Sequence, residues 1–320
     1  MRSLQVHVPI SPTPAFFTMI HYLAASLWQY GWPNGDRRLV VSIGEDCEPF
    51  DVNAAHPELA RYGITWRWVD REAFRRYSHF ATGMDRWIDP FQADFVLMAD
   101  ADVLFTGDFS DVALQLSQPR GIAGVTATSP PWLAVGDGDV DRERWGQLFA
   151  LASLPPPVFD CPHPGNGVWY AAGSGLASGP VYYNFGFVLG TQEAMNAIGR
   201  TFSQDYLLAA DFSKNYLAAQ MGLTLSIIRN RVSYRSLPVR YNFWGDARYH
   251  QAFPSEAANM RVLHYLNGPF RKHQDADGPQ DVAAWLNANE GDQNAHVQFL
   301  VSAVRKAHRA VMADLSEATA

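Results

Sequence analysis

The stretch Asp94 to Phe105, DFVLMADADVLF, decides the fold. Its nearly unbroken apolar run marks a strand covered on both faces, as in the middle of a mostly parallel sheet. Two carboxylates, Asp100 and Asp102, interrupt the run near its end. Ionised groups in or beside a buried strand are costly unless something compensates them, and a divalent cation is the most economical compensation. Residues i and i+2 of an extended strand face the same side, so both carboxylates are expected to present oxygen to one point. The bland alternative is two caps on the following turn.

Outward from this strand, short β-like runs alternate with helical stretches, the pattern of an α/β sheet flanked by helices. Leu4 to Ile10, Arg38 to Gly44, Thr65 to Asp70, Ile122 to Thr126, Tyr182 to Gly190, Leu223 to Ile228 and Arg261 to Leu266 read as strands. A helix is expected from Thr13-Pro14, a hydroxyl cap followed by a first-turn proline, with Phe16, Phe17, Ile20, Leu23, Ala24 and Leu27 on one face and a stop at Gly31. Further helices are expected over Thr191 to Phe202, Ser203 to Gly222 and His296 to Leu315. Between them, Ser129 to Pro180 is rich in Pro and Gly and carries Trp132, Trp145, Trp169 and Tyr170. So long a stretch without periodicity reads either as a functional lid or binding insert or as an irregular subdomain whose tryptophans are core. One domain is expected: a first half over 1–105, a second over 106–275 containing the insert 129–180, and a helical extension over 276–320.

Composition narrows the function. The 320 residues are 48% apolar and only 18% charged, which excludes disorder, and the 10 Trp, 13 Tyr and 19 Phe must go into a core or onto a ligand. A net charge of −7 and only three lysines, Lys214, Lys272 and Lys306, leave no basic stripe for nucleic acid. No signal-peptide run or membrane-length apolar window is visible, so a soluble cytoplasmic protein is the expectation. Cys47 and Cys161 read as free thiols. The Gly173-x-Gly175 run lacks the βαβ context of a dinucleotide fingerprint and reads as a loop.

Asp-x-Asp alone is weak evidence, since Asp137/Asp139, Asp139/Asp141 and Asp275/Asp277 repeat it. Four motifs in order make it stronger. ADFVLMADADVLF, YNFGFVL (Tyr183 to Leu189), LPVRYN (Leu237 to Asn242) and VLHY (Val262 to Tyr265), behind an opening strand VHVPI, cover roughly residues 4 to 272. Together they resemble the nucleotide-sugar glycosyltransferases of GT-A fold, as a divergent relative of the glycogenin-like and bacterial galactosyltransferase-like families.

The resemblance implies a GT-A, Rossmann-like fold and Mn²⁺ or Mg²⁺ held by Asp100, Asp102 and His264. It implies a nucleoside diphosphate sugar as donor, UDP-linked by expectation, and a hydroxyl acceptor, with retention of configuration. Asn184 would sit near the donor sugar, and Pro9 and Ile10 would flank the base. Arg86 and Lys272 are candidates for the diphosphate, with Ala101 and Gly268 beside it. Gly186 suits a strand position where a ligand approaches the backbone, or a bulge.

The chain also departs from the family. The second acidic motif, on a helix facing the donor sugar, is not evident. Asp205 and Asp211 are the nearest carboxylates, and Asp211 is taken as the catalytic candidate. The terminal His-x-x-Gly-x-x-Lys pattern is stretched, from His264 through Gly268 to Lys272. An inverting enzyme would need a carboxylate base, for which Asp137, Asp160 and Asp246 are available.

Three other readings compete. A haloacid-dehalogenase-like phosphatase would use Asp100 and Asp102 with the acidic run Gly136 to Asp141, but no lysine lies between the two motifs. A non-catalytic carbohydrate-binding protein on the same fold would bind sugar without nucleotide or metal. A nucleotidyltransferase would show a Gly-rich basic loop after the first strand, where this chain has VPISPTP.

Overall fold

The computed structural model describes residues 2–116, 119–132, 138–165, 168, 177–265 and 278–318. The chain opens with β1 (Ser3–Ile10), α1 (Pro14–Ser26), β2 (Asp36–Ile43), α2 (Val52–Ala55), β3 (Thr65–Trp68), α3 (Arg71–Tyr77), α4 (His79–Asp85), β4 (Phe95–Met98) and β5 (Val103–Phe105). Its middle holds α5 (Ser110–Gln115), β6 (Gly121–Thr126), α6 (Gly138–Leu151), β7 (Cys161–Pro162), β8 (Ser178–Gly179), β9 (Tyr183–Thr191), α7 (Gln192–Ser213) and α8 (Ala218–Arg229). It closes with β10 (Ser233–Ser236), β11 (Phe243–Trp244), α9 (Ala247–Ala252), α10 (Pro254–Ala258), β12 (Val262–His264), α11 (Pro279–Ala288) and α12 (Ala295–Ala318).

Seven strands form a central sheet in the order β10-β6-β9-β4-β1-β2-β3. All neighbours are parallel except β9, which runs antiparallel to β4 and β6. This is the mixed, mostly parallel α/β architecture expected from the alternation of elements. The buried strands explain it: β4 (FVLM) and β6 are buried at every position, because helices cover both faces. On one face Val6, Val8 and Leu97 join Leu23 of α1 and Val304 of α12 in one apolar cluster. On the other, Val96, Met98 and Val188 pack with Trp145 of α6, Phe202 of α7 and Leu225 of α8.

α1 begins as its sequence predicts, with Thr13 Oγ1 accepting from the Phe16 amide at 3.4 Å, and its last turn widens into a π turn that ends at Gly31. α12 lies against α1, pinned by a 2.6 Å hydrogen bond between the Tyr22 hydroxyl and His308 Nδ1, and it is tied to the turn Pro57–Tyr62 by an Arg61–Asp314 ion pair at 2.9 Å.

Several expectations are corrected. Asp94 to Phe105 is not one strand: β4 ends at Met98, the chain turns through Asp100-Ala101-Asp102, and β5 joins a second sheet of order β11-β12-β5. Leu223 to Ile228 is the second half of α8. Its run is buried on every side and therefore shows neither helical nor strand periodicity. Thr191 caps a single α7 that runs to Ser213, so the break expected near Phe202 falls at Lys214, in the left-handed region at φ 52°. Within 129–180, residues 138–151 form the unpredicted α6, and Trp145 on it is wholly buried, meeting Trp132, Phe149 and Tyr182 edge to face. The core alternative is the right one for Trp145, so it offers no face to a sugar. Trp169, Tyr170 and Gly173-x-Gly175 lie outside the described residues.

Candidate functional site

The turn that ends β4 opens beside β1, at the carboxyl edge of the parallel strands where open α/β sheets bind ligands. Two backbone ladders fix it there. Within the central sheet, the Ala99 amide donates to His7 O of β1 at 3.1 Å. In the small sheet, His264 of β12 pairs with Val103 of β5, and the Tyr265 amide donates to Asp102 O at 3.0 Å. The sheet switch therefore carries the His264 side chain to the two carboxylates.

His264 is buried, and its Nε2 lies 3.2 Å from Asp102 Oδ1 and 3.9 Å from Asp100 Oδ2. One ligand atom from each of Asp100, Asp102 and His264 falls within 4.8 Å of the others. Neither ring nitrogen of His264 makes a hydrogen bond of good geometry among the described residues. A buried imidazole whose Nε2 faces two carboxylates and whose Nδ1 has no hydrogen-bond partner among the described residues fits a divalent cation, and an O, O, N donor set suits Mn²⁺ or Mg²⁺.

The electrostatics agree. Burial alone would lower the His264 pKa, but the Asp102 carboxylate, followed by Asp100, overrides burial and raises it. Asp100 keeps a third of its side chain open at the cavity wall. Its poorly solvated setting nonetheless raises its carboxyl pKa; His264 pulls it down, Asp102 pushes it up and Arg86 pulls it down. A cation among these groups would relieve the repulsion between the two carboxylates.

Gly186 explains how the imidazole fits. The register between β6 and β9 shifts between Gly124 and Thr126, so the part of β9 holding Asn184 and Gly186 is irregular. A Cβ on Gly186 would lie 2.4 Å from Asn242 Oδ1, 2.6 Å from His264 Nδ1 and 3.0 Å from Asn184 Oδ1. The glycine is there because three polar side chains occupy its space. Asn184 Oδ1 accepts from the Gly186 amide at 2.9 Å and from Asn242 Nδ2 at 2.7 Å, a bridge between β9 and the LPVRYN segment.

Asp100, Asn184 and His264 border a cavity of about 450 Å³, within the range of small-molecule sites. Pro9, Ile10, Phe16, Phe74 and Thr82 line it, as do Arg86, Asp100, Asn184, Trp244 and His264. Arg86 is 3% exposed, its guanidinium lies 4.8 Å from the Phe185 ring, and its Nε and Nη1 have no hydrogen-bond partner among the described residues. Burial lowers its pKa, with Asp100 the leading opposing charge.

The sequence candidates therefore divide. Asp100, Asp102 and His264 come together, and Pro9, Ile10, Arg86 and Asn184 line the adjoining cavity. Ala101 sits buried at the turn between the carboxylates. Asp211 does not join them: it lies on the last turn of α7, 84% exposed, and pairs with Lys214. Gly268, Lys272 and Asp137 lie outside the described residues. Asp160 bonds the Tyr234 hydroxyl at 3.1 Å and Asp246 caps α9, and neither lines the cavity. The acidic run of the phosphatase alternative enters α6, and neither Val140 nor Asp141 lines the cavity. Tyr182, Tyr216, Gln220 and Trp244 line the cavity although no reading of the sequence put them there. Asn242 stood in a quoted motif without an assigned role.

No family model matches the chain, and no curated protein matches it. Among solved structures, it is similar to the WbbM bifunctional glycosyltransferase in its apo form, with a TM-score of 0.50 at 14% identity over 83% of this chain and 46% of that one. It also matches apo mouse xyloside xylosyltransferase 1, with a TM-score of 0.48 at 12% identity over 83% and 98% of the two chains. The likeness to WbbM concerns the fold, and this chain spans about half the length of that protein. Among the described residues no helix is long and apolar enough to cross a membrane.

Proposed function

We propose that this chain is a metal-dependent glycosyltransferase that moves a sugar from a nucleoside diphosphate, UDP in the first instance, to a hydroxyl acceptor. One observation carries the proposal: Asp100, Asp102 and His264 converge at the wall of a 450 Å³ cavity at the carboxyl edge of the sheet. The two carboxylates and the imidazole would hold Mn²⁺ or Mg²⁺, which supplies charge neutralisation for the departing diphosphate.

The chain's own residues do the rest. Pro9 and Ile10 offer backbone and apolar contact to the base, with Phe16 beside them. The two unpartnered nitrogens of Arg86 are fixed donors for diphosphate oxygens, desolvated in advance and so strong when paired. Ala101 keeps the turn between the carboxylates small. Gly268 and Lys272 complete the diphosphate site in this proposal, by resemblance alone. Asn184 has its oxygen committed to Asn242 and Gly186, and its Nδ2 is the group that would donate to the donor sugar.

In the reaction the bond between the anomeric carbon and the phosphate oxygen breaks, and the acceptor oxygen bonds to that carbon. The acceptor's hydroxyl proton passes to the leaving phosphate. Retention is the proposed outcome, because Asp100 is the sole carboxylate among the described residues lining the cavity and it is committed to the ion.

The test is incubation with UDP-sugars and Mn²⁺, reading UDP release without acceptor. Turnover in the parent and its loss in Asp102→Asn, with the fold kept by circular dichroism, supports the proposal. No turnover and no metal-dependent binding of any nucleotide sugar refutes it. Sugar binding that needs neither nucleotide nor metal points instead to a carbohydrate-binding protein.

A further inference from the structure

The cavity has a second wall that the metal site and the nucleotide contacts leave unused. It comes from the connection between α7 and α8 and the first turn of α8, where Tyr216, Leu217, Ala219 and Gln220 line the cavity. Tyr182, just before β9, lines it too. Tyr216 is 73% exposed, an unusual setting for a tyrosine ring at a cavity wall. Tyr182 is the opposite case: it is wholly buried, and its hydroxyl has no hydrogen-bond partner among the described residues. The carboxamide oxygen of Gln220 is likewise buried and unpartnered among them.

Buried polar atoms of this kind are normally satisfied, so a donor and an acceptor left unpartnered on residues that line one cavity mark where a ligand's polar atoms belong. An exposed aromatic face beside them gives the matching apolar contact. A pyranose has this pattern, with C–H bonds on one face and hydroxyls around its edge. The tyrosines are also neighbours electrically: burial first, then Tyr216, pushes the Tyr182 hydroxyl well above its ordinary pKa, so it stays a neutral donor. None of these five side chains carries a formal charge.

We infer that Tyr216, Tyr182 and Gln220 form a subsite for a neutral saccharide, which serves as the acceptor. The inference rests on the glycosyltransferase reading for the word acceptor, not for the binding itself. The donor's diphosphate belongs at the carboxylates and Arg86, whereas an exposed ring meets a molecule arriving from solvent. The saccharide's ring stacks on Tyr216, and its hydroxyls take the Tyr182 hydroxyl and the Gln220 carboxamide oxygen.

The experiment uses the full chain with UDP and Mn²⁺ present and a panel of lactose, maltose, methyl β-glucoside and methyl β-galactoside as probes. Binding is read by saturation-transfer NMR, and, in the UDP-release assay, by the saccharide concentration at which transfer overtakes hydrolysis. At least one saccharide should show transfer to its ring protons. Tyr216→Ala should weaken it about tenfold and Tyr216→Phe should restore it, while Tyr182→Phe and Gln220→Leu should weaken it severalfold.

Three results overturn the inference: no saccharide of the panel binds the folded parent, Tyr216→Ala binds as the parent does, or Tyr216→Ala raises the half-saturating nucleotide-sugar concentration by the same factor. The last would make the ring part of the donor site. Saccharide binding that depends on Tyr216 in a protein that never releases UDP refutes the transferase and leaves the subsite standing.

Discussion

Replacing Gly186 by alanine tests the architecture of the site with a single methyl group. That Cβ would stand 2.4 Å from Asn242 Oδ1 and 2.6 Å from His264 Nδ1, where ordinary contact begins near 3.4 Å. His264 and Asn242 are each 1% exposed, so neither can swing into solvent. Overpacking of this kind costs about 1–3 kcal/mol. The smaller unfolded-chain entropy of alanine returns less than ~1 kcal/mol of that. At about 2–4 °C per kcal/mol for a chain of this size, a net loss of about 1–2 kcal/mol should lower the melting temperature by roughly 2–8 °C. The more telling number is metal affinity. To clear the methyl, the imidazole must shift by on the order of 1 Å from its place beside the carboxylates, and disturbing the surroundings of a ligand histidine costs about 10–100-fold in metal affinity. Isothermal titration with Mn²⁺ on parent and variant, with thermal unfolding of the metal-free proteins, gives both values. A variant that keeps parental Mn²⁺ affinity and melting temperature refutes the idea that Gly186 makes room for His264.

Three further predictions concern other parts of the molecule. His7 on β1 is buried with both ring nitrogens unpartnered among the described residues, and burial, then Arg86 and Arg67, lowers its pKa from 6.5 to about 3. The unfolded chain therefore takes up a proton that the native state refuses, so stability is lost as pH falls from 6.5 toward 3. Urea unfolding between pH 6 and 4.5 should give His7→Met a slope shallower than the parent's by about 1.4 kcal/mol per pH unit, and equal slopes count against it. Asp205 is fully buried on α7 and takes Arg229 of α8 at 2.8 Å and the Ser226 hydroxyl at 2.8 Å. Arg229→Met should cost about 3–5 kcal/mol in denaturant unfolding by stranding that carboxylate, and a loss below ~1 kcal/mol would show the pair to be dispensable. Asp211→Asn should leave UDP release within twofold of the parent, since the side chain is exposed and paired with Lys214; a hundredfold loss would return it to the site.

The carboxylate pair was legible because an apolar strand advertises its exceptions: two charges at the end of FVLMADADVLF need a reason. His264 was legible only through the motif order of the glycosyltransferases the sequence resembles, since one histidine after VL is ordinary on its own. The turn between β4 and β5 was not legible. The residues on both sides are equally apolar, because each strand is buried in a different sheet, and the switch between sheets leaves no mark on hydropathy. α8 failed for the same reason as strand-like Leu223 to Ile228: total burial erases periodicity. Tyr216 and Gln220 had no signal at all, since an unpartnered atom is a property of three-dimensional surroundings. Trp145 shows the converse, an aromatic residue in a Pro/Gly-rich stretch that is plain core.

The pairing of β12 with β5 also bears on when the site comes into being. Asp102 and His264 stand half a chain length apart, and the histidine arrives only when the small sheet closes antiparallel onto Val103–Phe105. Contacts of such long sequence separation form late, after most of the loop-closure entropy has been spent. A growing chain that has emerged only as far as α10 already carries both carboxylates but lacks the imidazole, so it has no three-ligand centre. Cation binding is therefore a report that the carboxyl-terminal third has docked. On the proposed function, an unfinished or truncated chain would lack the ion centre on which use of a nucleotide sugar depends.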